Sequence, residues 1–414
     1  MPRADLSPDK NPNIDFTVER LCATDEPLRI AVVTETWPPE INGVAMSLKR
    51  MVDGLLARGH RIQLIRPRQH TGDTPRRDGQ LREVLSQGVP IPKYGSLRIG
   101  LPAKQKLVRL WTLERPDLVH LVTEGPLGWS AMAAARKLKL PATSDFRTHF
   151  DAYSAHYGIG WLKRPITAYL RRFHNLGQET YVPTRALQQQ LTACGYRNVE
   201  VVARGVDTRL FSPARRSRAL RAAWGVGESE LVVCFVSRLA PEKNLDLVAR
   251  AFEALRARRP NARMLWVGDG PSREALARTY PHHLFAGMRT GEDLATHYAS
   301  ADLFLFGSLT ETWGNVLSEA LASGLPVISY AQAAASDLVE PERNGLLAEP
   351  GDEAGFIAQT LHAGLDDALL SRMAAGARAS TERLHWDHVV NTFSHRLRSA
   401  IRSARTLREA RTPL

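Results

Sequence analysis

The chain has 414 residues, 43% hydrophobic and 24% charged, with a formal net charge of +12 when histidines are neutral. That length exceeds the usual span of one hydrophobic core and predicts two domains of an ordinary globular protein. The three cysteines, Cys22, Cys194 and Cys234, have no CxxC spacing and exclude a disulfide framework or thiolate metal site; the basic charge asks for anionic partners, yet no zinc-finger spacing, RNP-like strand or aromatic-interleaved basic tract points to nucleic acid.

Residues 1–27 are polar, lack the apolar core of a secretory signal, and are expected to form a loose leader. No run of roughly 18 apolar residues occurs, so no membrane-crossing helix is expected. The apolar, β-branched Arg29–Glu35 predicts a buried parallel strand, broken by Trp37-Pro38-Pro39-Glu40-Ile41-Asn42-Gly43. Val44, Leu48, Met51, Val52, Leu55 and Leu56 follow at helical spacing up to Gly59, and Arg61–Pro67 supplies a second strand. This is a βαβ unit, the start of a doubly wound sheet. Leu118–Val122 continues as a strand, Trp129–Leu138 as a helix, Thr180–Thr184 as a strand and Arg185–Cys194 as a helix. Val199–Phe211 reads as a crossing between domains.

The alternation then restarts, with strands predicted at Leu231–Ser237, Arg263–Val267, His283–Ala286, Asp302–Phe306 and Pro326–Ser329 and helices at Leu245–Leu255, Gly291–Ala299 and Val316–Ala322. Two successive alternations imply two similar α/β domains rather than one evenly repeating barrel. Trp386–Arg411 predicts one or two amphipathic helices; from Arg396 onward it holds six arginines against the single acid Glu409.

Two segments carry chemistry. In Leu309-Thr310-Glu311-Thr312-Trp313-Gly314-Asn315-Val316-Leu317-Ser318-Glu319 a glycine loop between two glutamates leads from a strand into a helix. Glycine admits close backbone approach, the helix start offers N–H donors, and each carboxylate can accept a pair of sugar or ribose hydroxyls. In Val236-Ser237-Arg238-Leu239-Ala240-Pro241-Glu242-Lys243 two cations follow a strand, where parallel sheets bind ligands, and suit a departing diphosphate. Spacing alone leaves the plainer alternatives open: solvated glutamates around a turn, and a surface salt bridge from Arg238 to Glu242.

Taken in order, Trp37-Pro38-Pro39…Asn42-Gly43, Gly205-Val206-Asp207 with Phe211 and Pro213, Arg238 with Lys243, Gly268-Asp269-Gly270-Pro271, and Glu311…Glu319 resemble the family 4 retaining glycosyltransferases of the GT-B fold. The resemblance covers nearly the whole chain, from about Arg29 to Trp386. It implies an α/β protein of two facing Rossmann-like domains: an acceptor domain over 28–205, a nucleotide-sugar donor domain over 206–386, and a terminal helix, 387–414, packing back onto the first.

By the same resemblance Arg238 and Lys243 hold the diphosphate, Glu311 contacts the transferred sugar and Glu319 binds the ribose. Gly43 approaches the phosphate, Gly287-Met288-Arg289 receives the base, and Thr312, Trp313, Gly314, Asn315 and Val316 border the sugar and phosphate. Where similar enzymes carry a histidine near the reacting sugar, Asp145-Phe146-Arg147-Thr148-His149-Phe150-Asp151 places Arg147; either His149 is the replacement or Arg147 does a different electrostatic job there.

No D-x-D triplet occurs, so the expectation is metal-independent transfer without a cofactor, Arg238, Lys243 and a helix N-terminus supplying the charge. The expected reaction moves a hexose, from GDP-mannose or a UDP-hexose, to a lipid or glycan acceptor, in the cytoplasm and at the inner face of a membrane. Trp161-Leu162-Lys163-Arg164 through Tyr169-Leu170-Arg171-Arg172, which has no acid, is the expected contact with anionic lipid. The alternatives are a sugar-nucleotide epimerase of the same fold or a catalytically silent sugar-nucleotide-binding partner.

Overall fold

The computed structural model describes residues 26–40, 43–91, 94–147, 163–309, 311 and 313–409. The expected leader therefore lies, except for its last two residues, outside the described residues, as do His149, Thr312 and the start of the basic patch at Trp161-Leu162.

The first half contributes β1 (Arg29–Val33), β2 (Arg61–Pro67), β3 (Arg77–Asp78), β4 (Leu81–Ser86), β5 (Gly88–Ile91), β6 (Tyr94–Gly100), β7 (Leu118–Leu121), β8 (Ala142–Asp145), β9 (Glu179–Val182) and β10 (Val199–Val201). Eight of them form one sheet in the order β10-β9-β8-β7-β1-β2-β4-β3, parallel apart from the antiparallel edge pair β3–β4. β5 and β6 form a separate antiparallel ribbon. The second half contributes β11 (Val232–Val236), β12 (Arg263–Val267), β13 (Leu284–Gly287), β14 (Leu303–Phe306), β15 (Val327–Tyr330) and β16 (Gly345–Ala348), paired as β13-β12-β11-β14-β15-β16.

Both sheets share one winding: the first strand lies centrally, the next strands build one way, and the chain then crosses back to build the other way. The order reverses between β1 and β7 in the first sheet and between β11 and β14 in the second. In doubly wound sheets such a reversal opens a crevice at the carboxyl ends of the strands, because the flanking connections leave on opposite faces. The expected α/β class with two Rossmann-like domains is what forms.

The strand cores are runs of Val, Ile, Leu and Phe buried on both faces, as the parallel pairing demands. Two expectations fell short for physical reasons. β8 (Ala-Thr-Ser-Asp) has no apolar signature, yet all four residues are buried, their polar groups satisfied by neighbours such as His120, whose Nδ1 lies 3.0 Å from Thr143 Oγ1. β3 to β6 and the helix Lys104–Leu113 also went unread, since edge strands and a helix burying only Leu107 and Trp111 carry weak periodicity.

Trp386–Glu409 is one helix of 24 residues. Its Val390, Phe393, Leu397, Ala400 and Ile401 join the core on one face of the first sheet, together with Leu48, Met51, Val52 and Leu55 of the helix Gly43–Ala57. A Cβ on Gly54 would come within 2.6 Å of Val390, so glycine there sets how closely the two helices meet. The last helix of the chain thus completes the first domain. Arg50 to Asp207 (3.3 Å) and the Arg185 amide to Asp337 (2.7 Å) tie the two halves together.

Candidate active site

β11 delivers the chain to Ser237-Arg238, then to the short turn Pro241–Lys243 and, through a left-handed Asn244, to the helix Leu245–Arg256. The turn Gly268–Pro271 after β12 packs against it: a Cβ on Gly268 would lie 1.9 Å from the Ser237 carbonyl oxygen, and Gly268 sits at φ +134°. Glycine is needed there for both reasons.

Across the reversal, β14 leads through Gly307 and Ser308 to Glu311. The Lys243 ammonium donates to the Glu311 carboxylate, which also accepts the Ser308 hydroxyl at 3.1 Å. This ion pair bridges the β11 and β14 ends. The Lys243 side chain is 16% exposed and that of Glu311 17%, so the pair is sheltered from water. Arg238 is different: it pairs with Glu242 and remains 64% exposed. The plain salt-bridge alternative therefore describes Arg238 in the free protein, and a diphosphate would have to compete with Glu242 for it.

Gly314, at φ +84°, stands at the N-cap of the helix Asn315–Ala322 with no side-chain cap; the Leu317 amide donates to the Gly314 carbonyl at 3.0 Å, and the helix start carries the partial positive charge of its dipole. Trp313 is buried beneath the loop, and its carbonyl accepts the Ala334 amide at 3.2 Å. Glu319, on the second turn and half-buried, accepts the Tyr298 hydroxyl at 3.1 Å. Desolvation outweighs that hydrogen bond and pushes the Glu319 carboxyl up to about 7. A partly desolvated carboxylate with one oxygen committed to tyrosine is poised to accept ligand hydroxyls on the other. Met288, after β13, is an exposed apolar side chain beside Gly287. Val316 is half-buried, in the first turn of the helix Asn315–Ala322.

The first domain closes the crevice. Gly43 begins its helix where the Asn315 Nδ2 would lie 3.6 Å from an added Cβ, so the loop after β1 meets the loop after β14. Arg147, at the position read as replacing a histidine, is held fast. Its Nη1 donates to Ser47 Oγ at 2.8 Å and its Nε to Asp145 at 2.5 Å. Burial would raise the Asp145 carboxyl, but Arg147 and His120 outweigh it and hold the group well below the usual carboxylate range. Arg147 thus fastens the end of β8 to the helix behind Gly43.

At the first reversal the groups are acidic. The Glu35 amide donates to Thr123 Oγ1 at 3.0 Å, and its carboxylate accepts the Leu127 amide at 3.0 Å, capping the helix Pro126–Lys137. Burial, with Glu124 nearby, pushes Glu35 up to about 7. Glu124 lies 3.2 Å from His174. Glu35, Glu124, Asp145, Arg204 and Tyr298 were not singled out as site residues in the sequence. Arg204 had a local signal, standing one residue before Gly205-Val206-Asp207.

Among the described residues Glu253, His282 and His283 form a triad with metal-ligand geometry. The Trp266 indole donates to His283 Nδ1 at 3.1 Å, so the neutral ring carries its proton on Nε2 and donates it to Glu253 at 2.9 Å. Burial depresses His283 to about 4, which keeps the ring neutral. The nitrogen facing Glu253 has no lone pair for a metal, and the triad is a structural hydrogen-bond cluster.

Two doubly wound domains meeting across a crevice, with sheltered charge at the second reversal, define the GT-B architecture of sugar transferases. Solved structures agree on the fold: a sucrose-phosphate synthase from Thermosynechococcus elongatus superposes with TM-score 0.71 at 18% identity, covering 91% of this chain and 100% of that one. Anabaena HepE, crystallised with UDP, gives 0.71 at 20% identity over 90% of this chain and all of its own.

The family models described as Glycosyltransferase Family 4 and as Glycosyl transferases group 1 match residues 41–210 and 230–366. A GDP-mannose-dependent alpha-mannosyltransferase of Mycobacterium tuberculosis is 35% identical over 78% of this chain and 85% of its own. Its namesake from Corynebacterium glutamicum is 33% identical over 87% and 86%. The chain belongs to the family 4 glycosyltransferases, and it is an enzyme.

Proposed function

We propose that the chain is a retaining α-mannosyltransferase that takes GDP-mannose and transfers mannose to a hydroxyl of a lipid or glycan acceptor, without a metal. The observation that carries the reading is the sheltered Lys243–Glu311 pair at the β11–β14 reversal, with Gly43 beside Asn315 and the helix Asn315–Ala322 starting without a side-chain cap. The names of the M. tuberculosis and C. glutamicum relatives support the choice of donor. Alpha-monoglucosyldiacylglycerol synthases from Acholeplasma laidlawii and Streptococcus pneumoniae, 26% and 27% identical, support a lipid acceptor.

On this reading the guanosine stacks toward Met288 and the backbone of Gly287 and Arg289. Glu319 accepts the ribose hydroxyls, and Glu311 orients the mannose. The bond between sugar C1 and the β-phosphate oxygen breaks with its electron pair staying on the diphosphate, the acceptor oxygen bonds to C1, and the acceptor's proton passes to the departing diphosphate. Charge grows on the leaving diphosphate, where Lys243, Arg238 and the helix amides sit ready without reorganising. His149 is kept as the proposed group beside the acceptor oxygen, on the stretch that follows Arg147.

Among the described residues no helix is long and apolar enough to cross a membrane. The helix Lys163–His174, with Arg164, Arg171 and Arg172 exposed and the Tyr169 ring tilted against Trp129 at 5.4 Å, is proposed as a surface contact with anionic lipid. The reaction is tested by incubating the protein with GDP-mannose and, separately, UDP-glucose, in excess chelator, with mannolipid and diacylglycerol acceptors. Product anomers are read by NMR. An α-mannoside from GDP-mannose is expected; a β-product, transfer only from UDP-glucose, or activity restored only by added magnesium would each overturn the corresponding part.

A further inference from the structure

The crossing between the domains brings a third cation to the crevice. Arg204 lies just past β10, half-buried, with Nη1 3.8 Å from the position of a Cβ on Gly43. Its Nη2 has no access to solvent and no hydrogen-bond partner among the described residues. The carboxylates near enough to feel its charge are already engaged: Asp145 by Arg147 and His120, Glu311 by Lys243 and Ser308. Among the described residues, counting Arg147, Lys243 and Arg204 against Asp145 and Glu311 leaves one positive charge without a counterpart.

A buried, uncompensated cation costs several kcal/mol, and proteins seldom keep one unless an anion arrives to meet it. A guanidinium that offers two donors from one edge suits a phosphate's paired oxygens. Beside it the start of the helix Gly43–Ala57 offers backbone donors, and the Asn315 Nδ2 lies 3.6 Å from the same Gly43 Cβ position. Burial, with Arg147 beside it, pushes the guanidinium down to about 9; it stays charged at neutral pH and is stabilised by any anion bound there.

We infer that Arg204 is a further ligand for the donor's diphosphate, gripping it from the interdomain crossing. This rests on the nucleoside diphosphate donor proposed above. It gives the crossing a part in the reaction: the phosphate is held by the second domain through Lys243 and by the hinge through Arg204. An anionic group on the acceptor shares the same chemistry, and the test separates the two sources.

The full-length protein, wild type, R204M and R204K, is titrated calorimetrically with GDP and with GMP, and melted with and without each. Expected are a wild-type preference for GDP over GMP, a loss in R204M of about tenfold in GDP affinity (~1.4 kcal/mol) with GMP affinity unchanged, and partial recovery in R204K. The ligand-free melting temperature of R204M should equal or exceed that of wild type, because the buried charge is gone.

An R204M protein with the wild-type GDP-to-GMP ratio overturns the inference. If its KM for acceptor alone rises, the anion belongs to the acceptor. If it melts several degrees lower and loses GMP as well, Arg204 is a structural residue. Failure of the wild type to bind GDP or UDP sinks the donor reading itself, a result distinct from any of these.

Discussion

The two domains wind their sheets identically, but the crevices at their reversals are furnished in opposite ways. After β1 and β7 the groups are Glu35 and Glu124, and the helix Pro126–Lys137 has its first-turn amide taken by Glu35 itself. After β11 and β14 the groups include Lys243 and Arg238, and the helix Asn315–Ala322 begins at Gly314 with no side-chain cap. A helix N-terminus already occupied by a carboxylate cannot receive a phosphate, whereas an open one beside cations can. One fold thus makes a site that repels anions and a site that gathers them, and the choice lies in a few side chains at the strand ends. The contrast supports the proposal that the diphosphate binds in the second domain and a neutral hydroxyl in the first.

The comparison breaks most visibly at Lys243. Lys243→Ala is expected to lower kcat by roughly two orders of magnitude or more, because leaving-group charge goes uncompensated and Glu311 loses its partner. Arg238→Ala should also lower kcat, by a smaller factor, since Arg238 is exposed and shared with Glu242. Steady-state kinetics on both, with thermal melts to verify folding, checks the order; equal, near-normal turnover removes the diphosphate assignment.

A second expectation concerns stability. Leu397→Ala removes a fully buried side chain of the terminal helix and should cost ~2–5 kcal/mol in the first domain. Denaturant unfolding followed by a probe in each domain should show the first transition shifting and the second holding.

The third uses the one feature the two crevices share, a carboxyl pushed up to about 7. Each binds a proton more readily folded than unfolded, so its contribution to stability is fully present below pH ~4.3 and lost as pH rises through about 7. Depressed His283 works in the opposite sense, costing stability as pH falls from ~6.5 toward about 4, so the variants are read as differences from wild type. Glu35→Gln and Glu319→Gln should each gain melting temperature relative to wild type between pH 5 and 8. Only Glu319→Gln should abolish a fall in donor KM as pH passes about 7, because the ionised carboxylate is the one proposed to accept ribose hydroxyls.

The smallest effect is expected at the membrane. Replacing Arg164, Arg171 and Arg172 with serine should weaken co-sedimentation with anionic vesicles at low salt, each arginine contributing about 1 kcal/mol near such a surface, while turnover on a soluble acceptor stays unchanged. Wild-type protein that remains in the supernatant under those conditions removes the lipid-surface reading.

Local pattern was enough to write the alternation of strands and helices, and the bounds of Arg61–Pro67, Arg263–Val267 and Gly291–Ala299 coincide with those observed. Lys243, Glu311, Gly314 and Glu319 could be singled out as candidates because glycine loops at strand ends mark where backbone must turn tightly and where ligands meet parallel sheets. Only the tertiary structure decided that Lys243 is sheltered against Glu311 while Arg238 lies in solvent beside Glu242, since burial depends on which loop folds over which. It also decided that polar β8 runs through the middle of a sheet, its hydroxyls met by the distant His120 and His174 and its carboxylate by His120 and the neighbouring Arg147. Arg204 is the clearest case. Its chemistry comes from three segments, Gly43, Asp145–Arg147 and Glu311, that come near it only when both domains have folded, because charge and desolvation act through space and not along the chain.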